Sequence, residues 1–227
     1  MRILGLDTAT EVCSVGLLLD SEVLVRELPP GPGHSAHILG LIQAVLGEAG
    51  LSLQDLDCIA FGRGPGGFTG VRLAASVTQG LAYGAGLKVV PVSDLLAVAQ
   101  RALDLAPQAG SVLVCNDARM QEVYWGCATR GPSGLALPAG AEQVSSPERV
   151  HLPAALRGPV LGAGRGFTVW PQLALIPALA QVHAELLPRA HEIVRLAVPE
   201  WLQGKALDPE QAHPVYLRDD VAKPSRK

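Results

Sequence analysis

The segment at residues 62–72, GRGPGGFTGVR, constrains the fold most, because it places five glycines and one proline between two apolar stretches. The run CIAF at residues 58–61 predicts a strand, and the small residues at 73–83 predict a helix. Glycines at such a junction leave backbone N–H groups uncovered at a helix N-terminus, which suits either an anion or a closely packed backbone. The segment alone leaves both interpretations open. It matches neither a P-loop nor a dinucleotide-binding motif.

The composition predicts a well-packed globular protein, since 48% of the 227 residues are apolar and 17% are charged. The formal net charge is −3, and the basic cluster of Lys223, Arg226 and Lys227 lies at the C-terminus. We therefore expect no direct binding of RNA. The sequence shows no signal peptide and no apolar stretch of the length that a membrane span needs, so we expect a cytoplasmic protein that does not enter the membrane.

The predicted elements follow the order βββαβαβα, which is typical of a mixed sheet flanked by helices. Alternating apolar residues and turn signals delimit these elements. The strands are expected at residues 2–6, 12–19, 23–28, 57–62 and 88–92, and the helices at 35–50, from the glycine segment to 83, and at 93–103.

The second half of the chain repeats the first half weakly. The apolar run at 112–116 ends at Asp117, as the run at 3–6 ends at Asp7, and Glu-Val opens the next strand in both copies. This pattern predicts a duplicated unit, although strand–turn–strand patterns also recur by chance. A last helix is expected from Pro188 toward Gly204, kinked or broken at Pro199.

The end of the first strand carries the candidate cofactor-binding residues. Duplicated folds of the actin type place an acid and a hydroxyl at a metal–phosphate site there, so Asp7 and Thr8, together with Gly64, Gly66 and Gly67, are candidates for binding a nucleotide. The simpler interpretation is a turn in which the carboxylate of Asp7 accepts backbone N–H bonds, and for catalysis this interpretation is favoured. No second acid at a diagnostic spacing supports a chemical role.

Other groups that could carry chemistry lack the partners that they need. His34 and His37 have the i, i+3 spacing of a metal pair but no third ligand. The cysteines are scattered without a C-x-x-C pair, and Ser14 and Ser35 have no recognisable catalytic partner. We therefore predict no catalytic residue and no metal ligand.

The two helices on either side of the fourth strand are more apolar than one core-facing stripe requires. Between Gly64 and Leu87 the one charged residue is Arg72, and the helix at 35–50 adds Leu39, Ile42 and Leu46 to its stripe. Such helices are buried on both sides, either by their own fold or by another protein. We favour a protein–protein interface, with burial under the second half of the chain as the alternative.

Four motifs, in order along nearly the whole chain, closely resemble the bacterial TsaB (YeaZ) family. They are MRILGLDTATEVCSV at 1–15, the glycine segment at 62–72, DARMQEVYW at 117–125 and PVYLR at 214–218. The resemblance implies a two-lobed α/β fold of the actin/Hsp70 type (ASKHA, RNase H-like), with a duplicated βββαβα unit and a reduced second lobe. It places the first lobe, with the dimerisation helices, at 1–105 and the second lobe with the tail at 106–227.

The resemblance also implies a function. TsaB proteins are non-catalytic partners of TsaD, which transfers threonylcarbamoyl to adenosine 37 of tRNAs that read codons beginning with A, and the ATPase TsaE joins them. The metal-binding H-x-x-x-H of TsaD falls at positions where this sequence has Asp94 and Val98, which removes both imidazoles. Independent transfer chemistry is therefore not expected, and no cofactor is required, although nucleotide binding stays open.

TsaD–TsaB pairing uses the first two helices, so the resemblance points to the same two helices as their apolar composition does. A homodimer through the same surface is expected when TsaD is absent. The alternatives are an independent ATP-dependent phosphotransferase, a glycoprotease-like metallopeptidase or a nucleotide-binding regulator. The expected interface residues are Ile38, Leu39, Ile42, Val45, Leu46, Val71, Arg72, Ala75, Thr78, Gln79 and Ala82.

Overall fold

Two sheets with helices on their faces form the framework of the chain. The structure is a computed structural model and describes residues 1–31, 33–154, 156 and 158–218, so the basic cluster at the C-terminus lies outside the described residues. The helices are α1 (His34–Ala49), α2 (Phe68–Ala85), α3 (Asp94–Leu105), α4 (Gly166–Val169) and α5 (Ala190–Leu202). The strands are β1 (Arg2–Asp7), β2 (Cys13–Leu19), β3 (Glu22–Leu28), β4 (Cys58–Gly62), β5 (Lys88–Val92), β6 (Ser111–Asp117), β7 (Val123–Arg130), β8 (Ala136–Pro138), β9 (Gln143–Ser145), β10 (Val160–Ala163) and β11 (Leu179–His183).

The two sheets have the same topology. The first sheet has the order β3-β2-β1-β4-β5, and the second has the order β8-β7-β6-β10-β11, with β9 paired to β7. In each sheet, the three strands that come first in the sequence pair antiparallel with one another. The next two strands of the sheet's main order, β4 and β5 or β10 and β11, run parallel to the central strand, β1 or β6. This repeated order confirms the predicted duplicated α/β fold of the actin type.

The second copy is reduced in its helices. In the first copy, α1 has 16 residues and α2 has 18. In the second copy, the connection that corresponds to α1 contains β9 and a 3₁₀ turn of 3 residues, and α4 has 4 residues. The reduced second half was also predicted.

Alternation of side chains along the first sheet assigns its two faces. Leu4 and Leu6 of β1 pack with α1 and α2, whereas Ile3 packs with the residues of α3 and α5. Gly5 and Gly16 lie under α5, where a Cβ atom on Gly16 would be 3.1 Å from the carbonyl oxygen of Ala190. The two glycines therefore let α5 approach the sheet closely.

Helices α3 and α5 each pack on the sheet that is formed by the other half of the chain. Helix α3 belongs to the first half of the sequence but packs on β6, β7, β8 and β10 of the second sheet. Helix α5 comes from the second half and packs on β1, β2, β4 and β5 of the first sheet. The division of the chain at 105/106 stays a prediction. A helix from each side of this boundary packs on the sheet from the other side.

The helix ends follow the predicted signals with small differences. Gly50 caps α1 with a φ of 65°, as the sequence predicts. Helix α3 begins at Asp94, one residue after its predicted start, and the Ser93 side chain caps it by accepting the N–H of Leu96. Helix α1 begins one residue before Ser35. Pro199 lies inside α5, which continues to Leu202, so the prediction of a break there is wrong. In the described part of the chain, the helices are all too short or too polar to cross a membrane.

Candidate functional site

The glycine loop between β4 and α2 packs against the backbone of the turn between β1 and β2. A Cβ atom on Gly66 would lie 2.7 Å from the carbonyl oxygen of Ala9, and one on Gly70 would overlap the carbonyl oxygen of Thr8. The N–H of Gly67 donates to Ala9 O at 2.7 Å, and the Thr8 hydroxyl donates to Gly70 O at 2.7 Å. Glycine is therefore required here because two backbones meet.

Two of the candidate anion donors already have acceptors within the chain. The N–H of Gly64 donates to a carboxylate oxygen of Asp94, and that of Gly67 to Ala9. A phosphate at this loop would compete with these acceptors. Nucleotide binding at Asp7, Thr8, Gly64, Gly66 and Gly67 stays a prediction, and the local geometry favours the close-packing interpretation.

Asp7 occupies a turn and is completely buried. Its Oδ1 accepts the N–H of Ala9 at 2.8 Å, as expected for the turn interpretation. Burial raises the pKa of Asp7 to about 6. The equally buried Asp94 lies beside it, where burial and the Asp7 charge raise the pKa of Asp94 well above its usual range.

The sequence analysis missed the contact between these two carboxyl groups. In the sequence, Asp94 stands out only as the residue at a position where TsaD is expected to have a histidine. Because β1, β4 and β5 are parallel neighbours, the residues after β1 and β5 meet at one edge of the sheet, and that shared edge is the signal that could have revealed the pair.

Hydrogen bonds connect the glycine loop, through Arg63, to two other parts of the chain. The guanidinium of Arg63 donates to Glu142 Oε2 at 3.1 Å, and the hydroxyl of Ser93 donates to the other oxygen of that carboxylate. The N–H of Val215 donates to Arg63 O at 2.7 Å, so the segment that carries the PVYLR motif docks on the loop. The loop thus joins the second half and the C-terminal segment to the first sheet.

Most of the expected interface residues lie in the protein's own core, which corrects the sequence analysis. Helices α1 and α2 cover the same face of the first sheet, and 3₁₀ turns at Leu53–Asp55 and Pro209–Gln211 pack against α2 and enlarge this core. The apolar stripe of α2 is wide because these turns cover the helix in addition to the sheet. Eight of the eleven residues are buried, namely Ile38, Ile42, Val45, Leu46, Val71, Ala75, Thr78 and Ala82.

Leu39, Arg72 and Gln79 are the expected interface residues that keep accessible surface. Leu39 is 52% exposed, and Arg72 and Gln79 are half-buried. The guanidinium of Arg72 lies 3.2 Å from the ring centroid of Phe68 and donates to the carbonyl oxygen of that residue. Tyr83, which the sequence analysis did not select, is 72% exposed on α2.

Comparison with known proteins assigns the family. A family model described as TsaD, tRNA N6-adenosine threonylcarbamoyltransferase, matches residues 31–224. A protein of Escherichia coli K12 is 42% identical over 225 residues, covering 98% of this chain and 96% of that protein. A protein of Haemophilus influenzae is 38% identical, covering 97% and 95%. Both are named tRNA threonylcarbamoyladenosine biosynthesis protein TsaB.

The chain belongs to the TsaB family. A solved structure of YeaZ from Pseudomonas aeruginosa is 42% identical, with a TM-score of 0.87 and coverage of 95% of this chain and 99% of that one. A second Pseudomonas aeruginosa structure, described as an uncharacterized protein with similarity to peptidase YEAZ, gives 43% identity and a TM-score of 0.88, covering 96% and 99%. The resemblance of the four motifs to the TsaB family is thus confirmed over nearly the whole chain.

In this member of the TsaB family, Asp94 and Val98, where the resemblance places the TsaD histidines, do not fit a metal ion. Val98 has no ligand atom and is completely buried in the core, and the carboxylate of Asp94 is engaged by Gly64. The ring of His34, on α1, has its Nε2 atom 2.9 Å from the carbonyl oxygen of Thr10. Within the residues that the structure describes, no three His, Cys, Asp or Glu side chains come together as a metal site.

Proposed function

We propose that this chain is a non-catalytic subunit that pairs with a TsaD-type transferase, and with TsaE, in the N6-threonylcarbamoylation of adenosine 37 in tRNAs that read codons beginning with A. The names of its TsaB relatives and the TsaD family model support a role in making this modified nucleoside. The cytoplasm is the proposed compartment, because the substrate would be tRNA.

The observation that carries the non-catalytic role is the chemistry of positions 94 and 98. A transferase that depends on two imidazole ligands at one helix start cannot use a buried valine in place of one of them. The same helix start is closed by the contact between Asp94 and the glycine loop. The transfer step therefore belongs to the partner, and this chain supplies binding surface.

The proposed binding surface is the outer face of α1 and α2. Leu39 and Tyr83 are exposed there, and Cβ atoms on Gly40 and Gly80 would meet open space. The residues of α2 after Arg72 carry no charge. An uncharged face with a large aromatic side chain suits the corresponding helices of a paralogue with the same fold, or a second copy of this chain when the paralogue is absent.

The test measures binding of purified TsaD from the same organism by calorimetry. Leu39→Glu and Tyr83→Glu place a charge on the exposed face without entering the core, so each is expected to weaken binding about tenfold or more while the thermal midpoint changes little. Leu105→Glu is the matched control, since Leu105 is 59% exposed on α3, away from the proposed surface. Sedimentation of the chain alone measures the homodimer with the same variants.

Unchanged TsaD binding by both variants would remove the surface assignment. The non-catalytic role is tested separately by reconstituting tRNA modification with TsaD and TsaE, with and without this chain. Transfer by this chain without TsaD would contradict the proposal, and kinase or peptidase activity of the chain alone would favour the phosphotransferase or metallopeptidase alternative.

A further inference from the structure

Two fully buried carboxyl groups meet at the edge of the first sheet. Asp7 Oδ1 accepts the N–H of Ala9, and Asp94 Oδ2 accepts the N–H of Gly64. The second oxygen of each group, Asp7 Oδ2 and Asp94 Oδ1, is buried and has no hydrogen-bond donor in the described part of the chain. Both groups lie against Gly62, where a Cβ atom would be 3.1 Å from Asp7 Oδ1 and would overlap Asp94 Oδ1.

The charges around the pair do not neutralise two carboxylates. His34 on α1 lowers and Glu192 on α5 raises the pKa of Asp7, and Arg63 in the glycine loop lowers the pKa of Asp94. Arg63 is already paired with the carboxylate of Glu142. The Cys13 thiol on β2 is a further titratable neighbour of Asp7, and burial raises its pKa to about 11. Two buried like charges without a cation of their own repel strongly, and a shared proton relieves this repulsion.

We propose that Asp7 and Asp94 share one proton, and that this proton is a pH-sensitive latch that holds the glycine loop to the end of β1. The proton resides on the carboxyl group of Asp94 and is hydrogen-bonded to the carboxylate of Asp7. The pair connects three elements, because Asp7 ends β1, Gly64 lies in the loop that begins α2, and Asp94 begins α3. When the proton leaves, the two carboxylates repel and the contact between α3 and the loop weakens.

The sign of the pH dependence follows from the direction of the two shifts. Both pKa values are raised in the folded chain, so the folded chain keeps protons that the unfolded chain releases from about pH 4 upward. Stability therefore falls as the pH rises toward about 6 for Asp7, and also as the pH rises through the raised pKa of Asp94. Where the folded chain holds one more proton than the unfolded chain, each unit of increase in pH raises the equilibrium constant of unfolding about tenfold.

The test is urea unfolding of the full chain between about pH 5 and pH 8, with Asp94→Asn as the decisive variant. The asparagine oxygen can still accept from Gly64, and its amide can donate to Asp7 permanently. We expect the unfolding constant of the wild type to rise about tenfold or more over this range, and that of Asp94→Asn to rise much less. Asp208→Asn, at an exposed carboxylate paired with Lys88, is the matched control and should keep the wild-type slope.

An equal slope in Asp94→Asn and the wild type would overturn the proposal. Infrared spectroscopy of the wild type at neutral pH provides a second measurement that needs no variant, since a protonated buried carboxyl group gives its own C=O band, and its absence would also overturn the proposal. Stabilisation of the wild type by MgCl₂ at pH 8 that Asp94→Asn lacks would mean that a cation occupies the site, not a proton. If Asp94→Asn does not fold, Asp7→Asn and the infrared band decide.

Discussion

The two halves of the molecule contain equivalent turns. The first turn (residues 8–12) connects β1 and β2, and the second turn (residues 118–122) connects β6 and β7. Each begins at an aspartate that ends a strand and accepts the N–H two residues later. The distance is 2.8 Å from Ala9 N to Asp7 and 2.9 Å from Arg119 N to Asp117. A glycine-rich segment also packs behind each strand end, with a Cβ atom on Gly166 2.6 Å from the carbonyl oxygen of Cys115.

The two turns differ in what covers them. The first turn lies under the backbone of the glycine loop and has no residue with a positive φ. In the second turn, Arg119, Met120 and Gln121 have φ values of 59°, 52° and 63°, and Met120 is 64% exposed. The side chain of Arg218 holds this turn by donating to Ala118 O at 3.1 Å and to Glu122. Backbone packing thus stabilises one copy, and a charged side chain stabilises the other.

The largest effect is expected where the glycine loop touches the first turn. Gly70→Ala would drive a Cβ atom into the carbonyl oxygen of Thr8, and neither backbone can move away freely, so we expect a loss of about 3 kcal/mol or more in the free energy of unfolding. Gly80→Ala is the control in the same helix. Its Cβ atom meets open space, and replacing an exposed helical glycine should stabilise by about 0.5–1 kcal/mol. Urea unfolding measures both, and equal effects would show that backbone packing does not hold the first turn.

A smaller loss is expected at the second turn from Arg218→Ala. The guanidinium is 17% exposed and donates to Glu122 Oε2 from Nε at 2.9 Å as well as to Ala118, so we expect a loss of about 1–2 kcal/mol. Arg165→Ala is the comparison at the first turn, where the pair with Glu11 is 46% and 41% exposed and should contribute less than about 1 kcal/mol. Denaturant unfolding of both variants compares them, and an equal or larger loss from Arg165→Ala would contradict the assigned difference.

The sequence could predict both turns but not what covers them. Alternation of apolar residues, together with Asp7 and Asp117 at two strand ends, predicted the duplicated order that the two sheets show. These are local signals, because a strand end and a turn are set by neighbouring residues. The exchange of α3 and α5 between the sheets depends on contacts between residues far apart in the chain, and no periodicity encodes it.

The sequence could predict which residues belong to the candidate site, but it could not predict the contacts between them. The glycine loop was found from its composition, and its packing on Ala9 required the parallel neighbours β1 and β4 to be known. The sequence does not predict the burial of Leu46 and Ala75, because the core around them includes residues distant in sequence, such as Leu207 and Ala212. An apolar helix face predicts that the face is buried. Which residues bury it is determined by the tertiary structure and cannot be read from the helix alone.

A gain in stability is expected when the second turn is relieved of its left-handed backbone. L residues other than glycine rarely adopt a positive φ, and three in succession cost free energy that a glycine would not. Gln121→Gly is therefore expected to raise the free energy of unfolding by about 0.5–1 kcal/mol, after the entropy that glycine adds to the unfolded chain is subtracted. Thr10→Gly in the first turn is the matched control, and because Thr10 has no positive φ it should destabilise by a similar amount. Urea unfolding of the two variants gives opposite signs if the two copies of the turn differ in backbone strain. The same sign would mean that the two turns differ only in the groups that cover them, which are the glycine-loop backbone in one copy and the Arg218 side chain in the other.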